Sequence, residues 1–266
     1  PLFGGGFRPG PETGKGAAVS EAIFSHSGKV GDLIYALPFA LAYVRMYNIK
    51  RTAFNLNVLP GRRLYTRESA EALAALLRSQ HWVDAVWFDR PEEATVNLDA
   101  GNHTWVRHNS GDLARRFALL GREFPEPIDF TAPWLFGIEP DPRAKGRIVL
   151  FRSLRYRNDR INCFSLLRCR DRLLFLGTPE EHEEFTLRAF RCEYLPTKDF
   201  LEAARLIRGA ALTIGNQTGL FAIAEALKVP RLLEISPTCP NVIMQGGWNR
   251  DLLSEEDLEA ALRLRG

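Results

Sequence analysis

The sequence lacks the features that mark membrane-spanning, disulfide-rich and zinc-binding proteins. No apolar run approaches the roughly 20 residues that cross a bilayer, and the N-terminus has neither a charged region nor an uninterrupted apolar region like those of a signal peptide. The four cysteines form no C-x-x-C pair and have no histidines at metal-ligand spacing. We therefore expect a cytoplasmic protein whose thiols are buried or incidental.

The sequence also has little net charge, at +3 on 266 residues. A small net charge, with few aromatic residues among the basic ones, argues against a nucleic-acid-binding protein. The basic residues nevertheless crowd between Arg143 and Arg172, which predicts a bound anion nearby. The hydrophobic fraction of 45% is enough for a substantial core.

The pattern along the chain predicts two α/β domains. Residues 1–18 are rich in Gly and Pro without periodicity, and we expect a flexible leader there. Short apolar strands alternate with amphipathic helices over residues 19–138 and again over 147–266, which is typical of parallel sheets. Residues 139–146 carry prolines and charges and predict a linker. Two such domains enclose a cleft, where ligands bind beyond the carboxyl ends of the strands.

The clearest predicted elements alternate between strand and helix in both halves. They are a strand at Glu21–Ser27, a helix at Leu33–Tyr47, a helix at Arg67–Gln80, a strand at Ala85–Phe88, a strand at Ala211–Ile214 and a helix at Leu220–Leu227.

The first stretch with chemical content is F-S-H-S-G-K-V-G-D-L-I-Y-A-L-P, Phe24–Pro38. Glycines between a strand and a helix let the backbone approach a ligand, and the helix N-terminus favours an anion or a polar group. The spacing after Gly28 does not fit the phosphate loop G-x-x-x-x-G-K-[ST]. Asp32 lies in the first turn of the helix, where it is either a functional carboxylate or an N-terminal cap.

Two further stretches lie in the second half. At Leu173–Phe185 a strand ends at Gly177, and the glutamates that follow either stabilise a helix N-terminus or accept hydrogen bonds from ribose hydroxyls. At Ala203–Glu234 a strand ends in G-N-Q-T-G and leads into a helix. That turn presents backbone N–H groups and short polar side chains to a pyrophosphate or a sugar.

Together these stretches resemble glycosyltransferase family nine, the bacterial lipopolysaccharide heptosyltransferases. Gly31, Asp32 and Ala36–Pro38 match its G-D loop and A-L-P helix, Gly177 and Glu181–Glu183 match its G and E-H-E segments, and Gly209–Pro230 matches its long second-domain signature. The resemblance is specific over Glu180–Pro240, good over Phe24–Pro38 and faint over Thr52–Pro133. It implies the GT-B fold, two Rossmann-like domains facing each other across a cleft.

The resemblance also implies an activity and a set of site residues. The activity is metal-independent, inverting transfer of a sugar from a nucleoside diphosphate to an acceptor hydroxyl; the sequence has no D-x-D motif, the metal-binding device of the other large glycosyltransferase class. Asp32 would be the general base, and Glu183 would accept hydrogen bonds from the ribose. The remaining site residues are Ser27, Gly28, Lys29 and Gly31 in the acceptor-side loop, Gly177, Asn216, Gln217, Thr218 and Gly219 in the donor site, and one or more of Arg155, Arg157 and Arg160 on the diphosphate. No metal and no cofactor besides the nucleotide sugar is expected.

The sequence departs from the family at two positions. Gln217 stands where the family usually has Asp, and Ala222 where it usually has His, so a heptose donor is not assured. Because the chain ends at Gly266, we also expect the family's C-terminal helix, which returns to the first domain, to be reduced or absent.

Two alternative functions stay open. One is a non-catalytic nucleotide-sugar-binding protein, and the other is a sugar-nucleotide epimerase or hydrolase with the same fold. For a transferase the acceptor is a glycan, a protein side chain or a modified base, and a peripheral contact with a membrane is compatible with the sequence.

Overall fold

The computed structural model describes residues 20–58, 65–100 and 112–264, so the expected leader at 1–18 lies outside the described residues. The first half forms a parallel sheet of β1 (Glu21–His26), β2 (Arg51–Leu56), β3 (Ala85–Phe88) and β4 (Val96–Asn97) in the order β3-β2-β1-β4. Its helices are α1 (Val30–Met46), α2 (Arg67–Arg78) and α3 (Leu113–Leu120).

The second half forms another parallel sheet, in the order β10-β9-β8-β5-β6-β7. Its strands are β5 (Ile148–Phe151), β6 (Leu173–Phe175), β7 (Glu193–Tyr194), β8 (Leu212–Asn216), β9 (Arg231–Glu234) and β10 (Asn249–Leu252). Its helices are α4 (Pro179–Arg188), α5 (Phe200–Gly209), α6 (Gly219–Leu227) and α7 (Glu255–Arg263). Short 3₁₀ segments lie at Pro91–Glu93, Pro142–Ala144 and Phe164–Arg172.

Side-chain caps explain where several helices begin. Thr66 caps α2, Asp199 caps α5 and Thr218 caps α6, each by accepting a hydrogen bond from a first-turn N–H group. Thr178 at α4 and Ser254 at α7 belong to reciprocal capping boxes. Such caps satisfy N–H groups that an α-helix leaves without an internal partner.

The two halves are joined by a shared core. Helix α1 packs on α6, and α2 packs on α5. The Trp134 indole Nε1 donates to the Ile34 carbonyl (2.9 Å) and the Trp134 N donates to the Ala226 carbonyl (3.0 Å), so one residue bonds to both α1 and α6. A second core, on the other face of the second sheet, includes Leu258 and Ala261 of α7.

The segment expected to be a linker is packed against the second half. Asp141 N donates to the Arg205 carbonyl in α5 (2.9 Å), and the Arg143 guanidinium bonds to both Asp141 and Glu202. The segment therefore continues the fold with fixed contacts to α5.

Most predicted elements lie within a few residues of the observed ones, and some differ. Helix α1 begins at Val30, three residues before the predicted Leu33, because Lys29 takes the N-cap position. Strand β10 and helix α7 had no sequence prediction. None of the described helices is both long and apolar enough to cross a membrane.

We predict that Gly215→Ala destabilises the protein by about 1 to 3 kcal/mol, the usual cost of overpacking a core. A Cβ at Gly215 would lie 2.1 Å from Phe151 Cδ2 and 2.4 Å from the Phe151 carbonyl oxygen, so β8 and β5 would have to separate. Thermal unfolding followed by circular dichroism measures the effect, at about 2 to 4 °C per kcal/mol for a chain of this size.

The control for this substitution is Gly31→Ala. A Cβ there would make only ordinary contacts, the nearest at 3.7 Å, and alanine is favoured over glycine in a helix. Equal melting temperatures for the two variants would contradict the close packing of β5 on β8.

Candidate functional site

A cavity of about 380 Å³ opens between the two sheets. Its walls come from the segments that follow β1, β5, β6, β7 and β8, with Leu113 of α3 and the loop residues Asn241 and Val242. The carboxyl ends of parallel strands are where open α/β sheets bind their ligands. The cavity is therefore the candidate active site.

The first turns of α1 and α6 meet in the wall of this cavity. A Cβ on Gly219 would lie 2.8 Å from Val30 Cγ1, and one on Gly31 would lie 3.7 Å from the Thr218 carbonyl oxygen. The first N–H groups of each helix have no intrahelical partner, and the positive ends of the two helix dipoles add. This junction, which we call the helix junction (Val30, Gly31, Thr218 and Gly219), is suited to an anion such as a phosphate.

Asp32 lies in the cavity wall beside the helix junction. The N-cap residue of α1 is Lys29, whose side chain makes no capping hydrogen bond, and Asp32 lies three positions further on, so Asp32 is not the N-cap. Burial raises the pKa of the Asp32 carboxyl, while His26, Lys29 and Arg116 act in the opposite direction. A carboxylate with a raised pKa is a better proton acceptor than an ordinary aspartate.

His26 forms a buried cluster behind this loop. Its Nδ1 accepts from the Gly28 N–H (3.3 Å) and lies 2.7 Å from the Tyr65 hydroxyl. Because a backbone N–H only donates, Nδ1 is the acceptor and the neutral ring carries its proton on Nε2. Nε2 lies 3.6 Å from Asp99 Oδ1. Burial lowers the pKa of His26, with Asp99 and Asp32 opposing that shift, so the neutral form is favoured.

Residues of the acceptor-side loop divide between this cluster and the cavity. Ser27 donates from its N and Oγ to Asp99, and a Cβ on Gly28 would lie 2.9 Å from the His26 ring. Gly28 thus makes room for a protein side chain, whereas the sequence suggested close approach to a ligand. Lys29 and Gly31 line the cavity, and the Lys29 ammonium donates to the Tyr156 hydroxyl in the second half (3.3 Å).

The three candidate arginines occupy different environments. Arg155 lines the cavity beside the Tyr156 ring. Arg157 points away, donating to the Ser153 carbonyl (2.9 Å) and to Glu184 (2.8 Å). Arg160 is exposed and is not in the cavity wall. The structure therefore brings Arg155, and neither of the other two, to the site.

Buried polar contacts hold the loop that carries Arg155. The Asn216 side chain accepts from Ser153 N (3.0 Å) and donates to the carbonyls of Ser153 and Arg155. The Arg152 guanidinium pairs with Glu234 (2.7 Å), and neither side chain is more than 7% exposed. Asn216, expected to line the donor site, is fully buried and instead fixes the shape of this loop.

The glutamate of α4 that lines the cavity is Glu181. Glu181 accepts from Thr178 N (3.0 Å) in the capping box, and it lines the wall together with Gly177 and Thr178. Gly177 has φ +153°, and a Cβ there would lie 2.6 Å from Glu181 Oε2. Glu183, the residue indicated by the family resemblance, is exposed and lies outside the wall.

Gln217, Thr218 and Gly219, which the family resemblance assigns to the donor site, all line the cavity. Thr218 caps α6 by accepting from Phe221 N (3.1 Å). The Gln217 Nε2 donates to Asn241 Oδ1. Gln217 thus bonds to a neighbouring side chain in the wall rather than to the backbone at the strand end.

Some candidate site residues could not be identified from the sequence. Tyr65 and Asp99 contact His26 and Ser27 across 39 and 72 residues of chain, and Asn241 lies in a loop without a motif. Tyr35 lies inside the quoted Phe24–Pro38 stretch, three residues after Asp32, where helical spacing puts both side chains on one face. In the described parts of the chain, no group of three or more His, Cys, Asp or Glu side chains is arranged to hold a metal ion.

The chain was compared with known proteins by sequence and by structure. No family model matches the sequence, and no curated protein matches it. Solved structures do match the fold, among them the following three. Heptosyltransferase WaaC of E. coli with ADP has a TM-score of 0.61 at 14% identity, covering 92% of this chain and 100% of that chain. The ADP-heptose lipopolysaccharide heptosyltransferase II of E. coli has a TM-score of 0.61 at 11% identity, covering 92% and 98%.

The third is the family 9 glycosyl transferase from Veillonella parvula, with a TM-score of 0.58 at 10% identity, covering 92% of this chain and 89% of that chain. All three extend over almost the whole of both chains, so the likeness includes both sheets and their relative placement. The expectation from the sequence is thereby confirmed at the level of the fold: this chain has the two-sheet GT-B architecture of the family-nine glycosyltransferases.

Proposed function

We propose that the chain transfers a sugar from a nucleoside diphosphate donor to an acceptor hydroxyl. The observation that carries the proposal is the helix junction, where two helix N-termini suited to an anion meet in the cleft with the Asp32 carboxylate beside them. Structures of the similar heptosyltransferase WaaC hold ADP and ADP-2-deoxy-2-fluoro heptose, which supports a donor of this class.

The diphosphate of the donor is assigned to the helix junction and Arg155. As the sugar leaves, negative charge accumulates on the diphosphate oxygens. Helix N–H groups and a guanidinium that are already in position stabilise that charge without reorganising. Lys29, which lies in the same wall, adds positive charge on the acceptor side.

Asp32 is assigned the role of general base. The acceptor oxygen forms a bond to the anomeric carbon while the bond from that carbon to the diphosphate breaks, and the diphosphate keeps the electron pair. The acceptor proton passes to the Asp32 carboxylate. Attack from the side opposite the leaving group inverts the anomeric centre, and no step in this scheme requires a metal ion.

The nucleoside is assigned to the end of the cavity formed by Gly177, Thr178, Glu181, Thr197 and Phe200. Phe200 supplies an apolar surface, and Glu181 supplies a carboxylate that accepts hydrogen bonds from ribose hydroxyls. The family resemblance indicates Glu183 for this task, so the two glutamates make a direct comparison.

We predict that Asp32→Asn lowers the rate of sugar transfer by about 10²- to 10⁴-fold, the usual contribution of a general base. Affinity for the nucleoside diphosphate should change by no more than a few-fold, because the base acts on the acceptor. Single-turnover transfer and calorimetric binding of ADP, GDP and UDP measure the two quantities separately.

The pH dependence of transfer gives an independent check on Asp32. The base works only when ionised, and burial raises its pKa. The wild-type rate should therefore fall on acidification at a pH above the ordinary aspartate range, while Asp32→Asn should lack that acid limb. Transfer by Asp32→Asn at the wild-type rate would remove Asp32 from the mechanism.

We predict that Glu181→Ala weakens nucleoside diphosphate binding by about 1.5 to 3 kcal/mol, the range for hydrogen bonds to a charged group. Glu183→Ala is the matched control on the same helix, and it should bind as the wild type does. Calorimetry decides between the two residues, and loss of affinity in Glu183→Ala alone would restore the assignment that the family resemblance implies.

We predict that Arg155→Ala also weakens binding of the diphosphate, by about tenfold or more, because it removes a charged donor from the cavity wall. Arg160→Ala removes the same charge from an exposed position outside the wall and should leave affinity nearly unchanged. Comparing the affinities of both variants for ADP and for AMP shows whether the lost interaction depends on the second phosphate. Equal losses of ADP affinity in the two variants would argue for a diffuse electrostatic effect.

A further inference from the structure

The His26 ring lies directly beneath the loop that leads into α1. His26 is fully buried at the end of β1 and is not part of the cavity wall. A Cβ on Gly28 would lie 2.9 Å from His26 Cε1 and 3.1 Å from His26 Nε2. The Tyr65 ring packs against the same imidazole, with the ring centroids 5.7 Å apart. A side chain at position 28 would collide with the imidazole, so the loop backbone passes closely over it.

One atom of this ring, Nδ1, is the acceptor for the loop. The Gly28 N–H and the Tyr65 hydroxyl converge on it, at 3.3 Å and 2.7 Å. Burial, together with Asp32 and Asp99, raises the pKa of Tyr65 well above its ordinary value, so the phenol keeps its proton and can donate. The neutral ring with its proton on Nε2 is the form that leaves a lone pair on Nδ1 for these donors.

The three residues before α1 are each held by a different hydrogen bond. Ser27 donates from its N and Oγ to Asp99, and Gly28 donates to His26. The Lys29 carbonyl accepts from Leu33 N in the helix (3.2 Å). The start of α1, and with it the position of its first-turn side chains, therefore depends on these bonds.

The charge of His26 also affects Asp32 directly. Three titratable groups face His26: Asp32 from α1, Asp99 from the segment after β4, and Tyr65 from the segment before α2. A protonated ring would stabilise the Asp32 carboxylate and weaken it as a proton acceptor. Protonation would also remove the lone pair that accepts the Gly28 N–H. Both effects make the neutral ring, which burial favours, the useful form.

We propose that His26 is a positioning residue for sugar transfer, and that its neutral imidazole holds the loop before α1 so that Asp32 meets the acceptor hydroxyl at hydrogen-bond distance. The inference rests on the proposed function of Asp32 as general base. His26 takes no proton from the acceptor, because it lies behind the loop and outside the cavity wall. A displacement of about 1 Å at a reacting group can cost about 10²-fold in rate, so one bond to the loop backbone is enough to matter.

The variants separate the hydrogen bond from the presence of a ring. His26→Phe keeps an aromatic ring and removes the acceptor. His26→Asn places an amide oxygen close to the position of Nδ1, where it can accept from the Gly28 N–H without titrating. His81→Asn is the control, because His81 is exposed and lies outside the cavity wall. Each variant is made in the full 266-residue chain, and its melting temperature is measured.

Nuclear magnetic resonance tests the hydrogen bond without any measurement of activity. The ¹⁵N shifts of the His26 ring should show the Nε2–H tautomer at neutral pH. The Gly28 amide should exchange slowly with solvent in the wild type and in His26→Asn, and about tenfold faster or more in His26→Phe. Asp32→Asn should move the titration of His26 to lower pH, because the carboxylate that favours the cation is gone. An Nδ1–H tautomer, or unchanged Gly28 exchange in His26→Phe, would refute the proposal.

Turnover shows whether this hydrogen bond serves Asp32. Release of the nucleoside diphosphate from ADP-glucose, GDP-mannose and UDP-glucose is followed with water as the acceptor, and binding of ADP, GDP and UDP is measured by calorimetry. His26→Phe should turn over about 10²-fold more slowly, with its affinity for the diphosphate within a few-fold of the wild type. His26→Asn should recover most of the rate, and His81→Asn should match the wild type.

Two kinetic results would overturn the proposal. One is a wild-type rate in His26→Phe. The other is an equal loss of rate and of diphosphate affinity in His26→Phe with no recovery in His26→Asn, which would leave His26 a purely structural role. Failure of the proposed function has a different signature, since the wild type would then bind none of the three diphosphates while the tautomer and the Gly28 exchange stayed as expected.

Discussion

The contact between the first turns of α1 and α6 is the constraint on which the site depends. A Cβ on Gly219 would lie 2.8 Å from Val30 Cγ1, which is too close, so the two helices approach this closely because that position is glycine. The contact brings together the N-termini of two helices, α1 after a strand of the first sheet and α6 after a strand of the second. The same approach brings Asp32 and Tyr35 on α1 next to Gln217 and Thr218 at the start of α6, and the catalytic and anion-binding groups of the proposal become neighbours.

Ion pairs buried in the second half help to shape the wall of the cavity. Arg152 and Glu234 fix the loop that carries Arg155, and Glu225 pairs with Lys228 and Arg231 beneath the loop that carries Asn241. Buried ion pairs often add little net stability, because both charges lose their hydration. Their evident effect here is geometric, since each holds a loop in the one shape that lines the cavity.

Sequence reasoning located the segments of the site better than it located the side chains. The strand ends and the turns that follow them could be predicted because apolar strands, glycines and helix signals are local. The choice between Glu181 and Glu183 could not, because it depends on the phase of a helix that advances about 100° per residue. Side chains two residues apart point to nearly opposite faces of a helix. The placement of α4 on the sheet therefore decides which of the two glutamates lines the cavity.

The arginines illustrate the same limit on a loop. Arg155, Arg157 and Arg160 are the same residue type and are neighbours in sequence, but the loop that carries them is held by hydrogen bonds to Asn216 and Glu234 that span 61 to 82 residues of chain. The His26 cluster depends on distant partners in the same way, with Tyr65 and Asp99 arriving from two other segments. Local patterns carry no information on such contacts.

Because the cavity lies between two sheets, its rigidity depends on the contacts that hold the two halves of the chain together. Lys29 and Tyr156 make a hydrogen bond across the cavity, and an exposed polar contact of this kind contributes little. The halves are held together below the cavity, where α1 packs on α6 and Trp134 bonds to both helices. The relative placement of Asp32, Tyr35 and Gln217 is therefore set by the apolar core.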